Sequence, residues 1–213
     1  MNGLSCEGAL ATKPDLLCES ARISMEIEHT ALPGVLVLTP RRFGDHRGFF
    51  SEIWNRKTLA DQGINLDFVQ DNQSLSHDTG TVRGLHFQAP PHAQAKLVRC
   101  GQGVLFDVAV DIRRGSPNFG QWVGVELSAE NGRQLLIPAG FLHGFITRAP
   151  RTEVLYKCTA PYAPKADGAI RFDDPDIGIN WGIDPAQAVL SDKDAAAPWL
   201  RNFETPFVYE AKT

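Results

Sequence analysis

The sequence predicts an all-β sandwich or barrel with a few short peripheral helices, and three observations carry that expectation. From Val35 to about Phe172, short runs of β-branched and aromatic residues recur, separated by Gly, Pro, Asn and Asp. Helical periodicity is scarce over the same span. The balance of 22% charged and 43% hydrophobic residues over 213 positions suits a folded domain with a sizeable core.

In order, the strand candidates are 34–39, 47–53, 68–76, 81–88, 95–100, 103–112, 121–127, 133–138, 144–147 and 152–159, with 170–172 as a short late one. Turn chemistry divides several of them, at Gly101-Gln102-Gly103, Gly115-Ser116-Pro117-Asn118 and Glu130-Asn131-Gly132. Helical pattern is confined to 55–62 and to 193–202, which Pro198 interrupts. The chain shows no repeat of fixed period and no low-complexity tract. Residues 1–24 hold isolated leucines, Gly, Pro and Ser without periodicity, so a flexible extension is expected there and one domain over 25–213. Met25 stands just before the patterned region and reads as an alternative translation start.

Charge narrows the function. With 21 Lys and Arg against 25 Asp and Glu, the net charge of −4 supplies no basic excess for a nucleic-acid backbone or an anionic membrane. No stretch approaches the ~20 apolar residues that cross a bilayer. Cys6, Cys18, Cys100 and Cys158 form no Cys-x-x-Cys pair, and the N-terminus lacks a secretion signal, so free thiols in the cytoplasm are expected.

The strongest local pattern is Gly132, five residues, then Pro138-Ala139-Gly140-Phe141-Leu142-His143. It resembles the second motif of the cupin superfamily, in which a strand enters a tight turn and the following His points into the barrel. Proline fixes φ and glycine permits the reversal. The metal set found in many cupins is incomplete here, because His86-Phe87-Gln88 and His92-Ala93-Gln94 each put Gln where a second ligand would stand. A three-histidine site from His86, His92 and His143 is the remaining route to a metal.

A second constellation is Thr81-Val82-Arg83-Gly84-Leu85-His86-Phe87-Gln88 followed by Ala95-Lys96-Leu97-Val98-Arg99. Simple alternation turns Arg83, Leu85 and Phe87 one way and Gly84, His86 and Gln88 the other. Lys96, His143, Tyr156 and Lys157 also lie in strand-like runs. Several ionisable groups inside one barrel are costly unless they surround a ligand.

Six ordered segments extend the pattern: Gly44-Asp45-His46-Arg47-Gly48-Phe49-Phe50-Ser51-Glu52, Val69-Gln70-Asp71-Asn72, Arg83-Gly84-Leu85-His86-Phe87-Gln88, Leu155-Tyr156-Lys157-Cys158-Thr159, Asp173-Asp174-Pro175-Asp176-Ile177-Gly178-Ile179 and Leu190-Ser191-Asp192-Lys193-Asp194. Together they resemble the dTDP-4-dehydrorhamnose 3,5-epimerase family, from about Met25 to Leu200. The resemblance implies a homodimeric cupin jelly roll that needs no metal and no cofactor. It also implies a dTDP-linked 4-keto-6-deoxy sugar as substrate, inverted at two carbons to give the L-rhamnose precursor.

Both carbons flank a ketone, so the reaction class is proton abstraction and return through an enolate. By resemblance His86 is the base, and histidine offers a neutral nitrogen at cellular pH. Lys96 would stabilise the enolate oxygen, and Tyr156 would donate a proton from the opposite face. Asp194 would hydrogen-bond His86 and fix its tautomer. On residue type alone Ser191-Asp192-Lys193-Asp194 reads equally as a helix capping box.

Arg47 and Arg83 are the candidate diphosphate contacts. Glu52, Gln70, Asn72, His143 and Lys193 would complete the polar lining, with Phe49 or Tyr162 stacked on the base. Asp167 precedes Gly168 where family members often carry Glu, so the carboxylate there is kept but shortened. Three alternatives remain open at this level. They are a relative that epimerises one carbon of another dTDP-4-keto-deoxysugar, a metal-dependent cupin, and a non-catalytic sugar-binding cupin.

Overall fold

Among residues 25–210, which the computed structural model describes, thirteen short strands do most of the building. In chain order they are β1 (Met25–His29), β2 (Leu36–Pro40), β3 (Phe43–Asp45), β4 (Gly48–Phe50), β5 (Gln70–Ser76), β6 (Val82–Gln88), β7 (Lys96–Gln102), β8 (Val104–Asp111), β9 (Trp122–Ser128), β10 (Gln134–Ile137), β11 (Phe141–Thr147), β12 (Thr152–Cys158) and β13 (Asp167–Ala169). Six form one sheet in the order β1-β2-β10-β7-β12-β5, and five form another in the order β13-β6-β11-β8-β9. Neighbours within both sheets are antiparallel. Strands distant in sequence sit side by side, and the two sheets face each other as the leaves of a jelly roll.

Packing explains why several runs read as continuously apolar rather than alternating. Val98, Leu105, Ala109, Leu127, Leu135, Phe141, Phe145 and Val154 meet between the leaves. Their neighbours face outward, and each outer surface is covered in turn. Leu36, Leu38, Leu97 and Leu136 on the six-stranded sheet lie under Leu59 of α1 (Arg56–Ala60), with Ile64, Leu66 and Phe68 beside it. Leu85, Phe87, Val108, Val110, Leu142 and Ile146 on the five-stranded sheet are covered by Ile170, Phe172, Ile177, Trp181, Leu200 and Phe207. Each such side chain taken fully out of water contributes about 1.5–3 kcal/mol. β11, held between β6 and β8, is buried along its whole length.

Three expectations are corrected. β1 was unforeseen, since Met25-Glu26-Ile27-Glu28-His29 forms a strand only by pairing with β2. The run 47–53 is no continuous strand: its first part folds back on β3, and the Asp45 carboxylate accepts from the Arg47 amide at 2.8 Å to close the turn. The late strand falls on 167–169 rather than 170–172, although Ile170 still exchanges two backbone hydrogen bonds with Leu85. The C-terminal helical stretch is interrupted at Pro198 as expected, into α2 (Asp192–Ala195) and a 3-10 turn at Leu200–Asn202.

The helix expected over 55–62 is present as α1, with the Asn55 side chain accepting from the amides of Lys57 and Thr58. The extension expected at 1–24 lies outside the described residues. Cys100 and Cys158 are buried free thiols. No helix among the described residues is long and apolar enough to cross a membrane.

Candidate active site

The site begins with an irregularity in β6. Opposite it, β11 pairs His143 with His86 and then Phe145 with Arg83, so two steps on one strand match three on the other. The extra residue breaks simple alternation. Arg83 and His86, expected on opposite faces, line the same cavity, while Val82, Leu85 and Phe87 pack on the outer core. Gly84 makes the bulge possible at φ +126°, and a Cβ there would lie 2.6 Å from Gly144 Cα and 2.8 Å from the His143 carbonyl oxygen.

His86 is half-buried, and its Nε2 lies 2.5 Å from Asp194 Oδ1. Ser191 caps α2 by accepting from the Asp194 amide, and its hydroxyl donates to Asp194 Oδ2 at 2.8 Å. Of the two roles that the sequence left as alternatives, Ser191 does cap the helix, while the Asp194 carboxylate turns to His86 and the Ser191 hydroxyl rather than back to the Ser191 amide that a capping box requires. Burial opposes ionisation of Asp194, but the hydrogen bonds from His86 and Ser191 and the charges of His86 and Lys193 outweigh it and hold the carboxyl below its ordinary range.

A second His–carboxylate pair lies deeper. His143 Nε2 is 2.7 Å from Oδ1 of Asp107, and both side chains are buried. Burial pushes the His143 imidazole below its ordinary value, with Asp107 acting against the shift. Lys96, on β7, and Tyr156, on β12, enter the same cavity from the six-stranded sheet. Burial lowers the Lys96 ammonium and raises the Tyr156 phenol. Among the described residues Lys96 forms no ion pair.

The cavity has two lobes that share His86, Lys96, Tyr156 and Lys193. One, of about 450 Å³, holds Arg83, His143 and Asp194; the other, of about 400 Å³, holds Gln70, Asn72, Gln88, Tyr162 and Asp167. In the second lobe Gln70 donates to Asn72 at 2.9 Å and accepts from the Tyr162 amide at 2.9 Å. Lys193 pairs with Asp167, which also accepts from the Tyr162 hydroxyl at 3.2 Å. The shortened Asp167 carboxylate therefore joins the loop bearing Tyr162 to the helix bearing Lys193.

Five expected members do not reach this cavity. Arg47 is exposed on the β3–β4 hairpin and paired with Asp45, Glu52 accepts from Asn55 at 3.0 Å, and Phe49 is 60% exposed under the Arg42 guanidinium. Lys157, expected inside, alternates with Tyr156 and so points outward, where it pairs with Asp71 at 2.8 Å and lies over the Trp54 ring. His92 is exposed on the loop before β7, so the three-histidine set is not assembled. Asp107 and Gln88 are the site residues that sequence reasoning missed. A lone carboxylate between Leu105 and Ala109 on the inward row of an apolar strand was the available signal for Asp107.

The cavity can bind an anion and move protons between two walls. His86 stands on the five-stranded leaf, Lys96 and Tyr156 stand on the other, and Arg83, Lys96 and Lys193 supply positive charge. A sequence model of the dTDP-4-dehydrorhamnose 3,5-epimerase family matches residues 29–202. A dTDP-4-dehydrorhamnose 3,5-epimerase from Sinorhizobium fredii is 52% identical over 191 residues, covering 87% of this chain and 94% of its own length. One from Salmonella typhimurium is 54% identical over 177 residues, covering 83% and 96%. The crystal structure of a dTDP-6-deoxy-D-glucose-3,5-epimerase from Legionella pneumophila, in complex with dTDP-4-keto-L-rhamnose, superposes with a TM-score of 0.83 at 45% identity, covering 88% of this chain and all of that one.

Proposed function

The chain belongs to the dTDP-4-dehydrorhamnose 3,5-epimerase family, and on that premise we propose how its own residues carry the family's reaction. It is an isomerase of the dTDP-L-rhamnose route, converting dTDP-4-dehydro-6-deoxy-D-glucose to dTDP-4-dehydro-L-rhamnose. His86 is the base. Its Nε2–H donates to the Asp194 carboxylate, which leaves the Nδ1 lone pair to take the proton from the carbon beside the ketone. Lys96 donates to the ketone oxygen as it becomes an enolate, in a pocket where the interaction is stronger than in water.

Tyr156 returns a proton from the other side. The observation that carries this reading is the opposition of His86 and Tyr156 across one cavity, each on a different leaf. Inversion requires removal on one face and delivery on the opposite one. Arg83 and Lys193 hold the diphosphate, His143 contacts the sugar, and Gln70, Asn72, Asp167 and Tyr162 hold the nucleotide end.

The working form is a cytoplasmic homodimer. Phe43, Phe49 and Phe50 are 48%, 60% and 70% exposed on one small hairpin, an apolar surface that suits a second copy. In that arrangement Arg47 and Glu52, too far out to serve their own cavity, complete the partner's.

Proton NMR in deuterated water with dTDP-4-dehydro-6-deoxy-D-glucose tests the reading. Exchange at C3 and C5 with an L-lyxo product is expected. Exchange at one carbon would assign the chain to the single-carbon relatives, and no exchange would leave only binding.

A further inference from the structure

The roles given so far leave Asp107, the buried partner of His143, without a task. Asp107 is 0% exposed, and one of its oxygens, Oδ1, meets His143 Nε2 at 2.7 Å. The other, Oδ2, is equally buried and has no hydrogen-bond partner among the described residues. An orphaned carboxylate oxygen in a protein interior is costly unless a positive charge faces it. Lys96 and His143 line the same cavity, and Lys96 has no salt-bridge partner of its own among the described residues.

We propose that Asp107 is a positioning residue of the epimerisation: Oδ1 fixes His143 with its proton on Nε2 and its Nδ1 toward the substrate, while the second oxygen is the counter-charge that keeps Lys96 an ammonium beneath the ketone. This rests on the role given to Lys96 above. The groups that face Lys96 are Cys158 and Tyr156 from β12, Asp107 from β8, His143 from β11, His86 from β6, Asp167 from β13 and Lys193 from α2. Of the two carboxylates acting on it, Asp167 is already engaged by Lys193 at the rim. Asp107 is the one held in the interior with an oxygen uncommitted. Burial lowers the Lys96 ammonium and Asp107 works against that shift, so losing the carboxylate charge makes Lys96 surrender its proton at lower pH.

The test compares kcat against pH for the wild type, Asp107→Asn, Lys96→Gln and the double variant, with thermal melting to confirm folding. Asp107→Asn should move the alkaline limb of kcat down by about one pH unit and lower kcat by about 10-fold or more at pH 8. The Michaelis constant should stay within about 3-fold, because Asp107 does not touch the substrate. In the Lys96→Gln background the same substitution should leave the limb unmoved.

A folded Asp107→Asn enzyme whose alkaline limb coincides with the wild type overturns the proposal, provided Lys96→Gln is itself crippled. Full activity in Lys96→Gln would instead remove Lys96 from the mechanism, and with it the counter-charge role of Asp107. Should Asp107→Asn fail to fold, 15N NMR of His143 in the unsubstituted protein decides the positioning role: protonation on Nε2 is expected, and protonation on Nδ1 overturns it.

Discussion

His86 Nε2 and Asp194 Oδ1 stand 2.5 Å apart although 108 residues separate them along the chain. The carboxylate is presented by one turn of helix that Ser191 caps while donating to the same Asp194, and that Asp167 and Arg171 hold through Lys193 and the Ala195 carbonyl. The His86 imidazole is thus oriented by an element outside the two sheets.

Replacing His86 by Ala should abolish turnover, by about 10³-fold or more, while folding and dTDP affinity stay near wild type. Steady-state kinetics and calorimetric titration with dTDP check both halves. Undiminished product would remove His86 from the mechanism.

Asp194→Asn should cost about 10- to 100-fold in kcat through loss of tautomer control, with little change in substrate affinity. It should also alter acid stability. The folded carboxyl lies below its ordinary 3.8, so its stabilising contribution is present above that value and is lost as pH falls through the lower folded value. Urea midpoints should therefore fall less steeply for the variant than for the wild type below pH 3.8, the two converging in strong acid.

Tyr156→Phe removes the proton donor of the far wall and leaves His86 and Lys96 in place. Solvent deuterium should still enter the substrate while the L-lyxo product falls by about 10²-fold. Parallel loss of exchange and product would show that Tyr156 serves the abstraction step as well.

Gly84→Ala forces a Cβ to within 2.6 Å of Gly144 Cα at a positive φ. A loss of about 3 kcal/mol in chemical denaturation is expected, accompanied by a fall in kcat because Arg83 and His86 flank the displaced bulge. Stability within about 0.5 kcal/mol of wild type would contradict the packing described for β6 and β11.

Phe49→Asp with Phe50→Asp should give a monomer by light scattering and raise the Michaelis constant by about 10-fold or more, since Arg47 and Glu52 would no longer reach a neighbouring cavity. A monomeric wild type, or an active monomeric variant with unchanged kinetics, would rule out that contribution.

The strands with apolar inward rows were legible because period 2 and turn residues mark them: β6, β7, β8, β9 and β12 fall within two residues of their expected bounds. β1 was not, because its glutamates alternate with Met25 and Ile27 on a strand too short to show a pattern, and its pairing comes from β2. Motif resemblance picked out His86, Lys96, Tyr156 and Asp194, which a cavity then brings together. The alternation rule misplaced Arg83 because a bulge is a property of two strands, and one strand's sequence does not contain it. Asp107 was overlooked for the opposite reason: it obeys the alternation, marked only as a lone carboxylate on an apolar inward row, and its partner on β11 is what shows its place in the site.

The groups proposed for catalysis are divided between the leaves, with His86 on one and Lys96 and Tyr156 on the other. The gap that the proposed proton transfers would cross is therefore set by the side chains that keep the leaves apart, among them Leu105, Leu135, Phe145 and Val154. Trimming any of these is a change to the reaction coordinate as much as to the core. Variants of this interior should lose turnover at temperatures where the polypeptide is still folded, and heat should silence the enzyme before it melts.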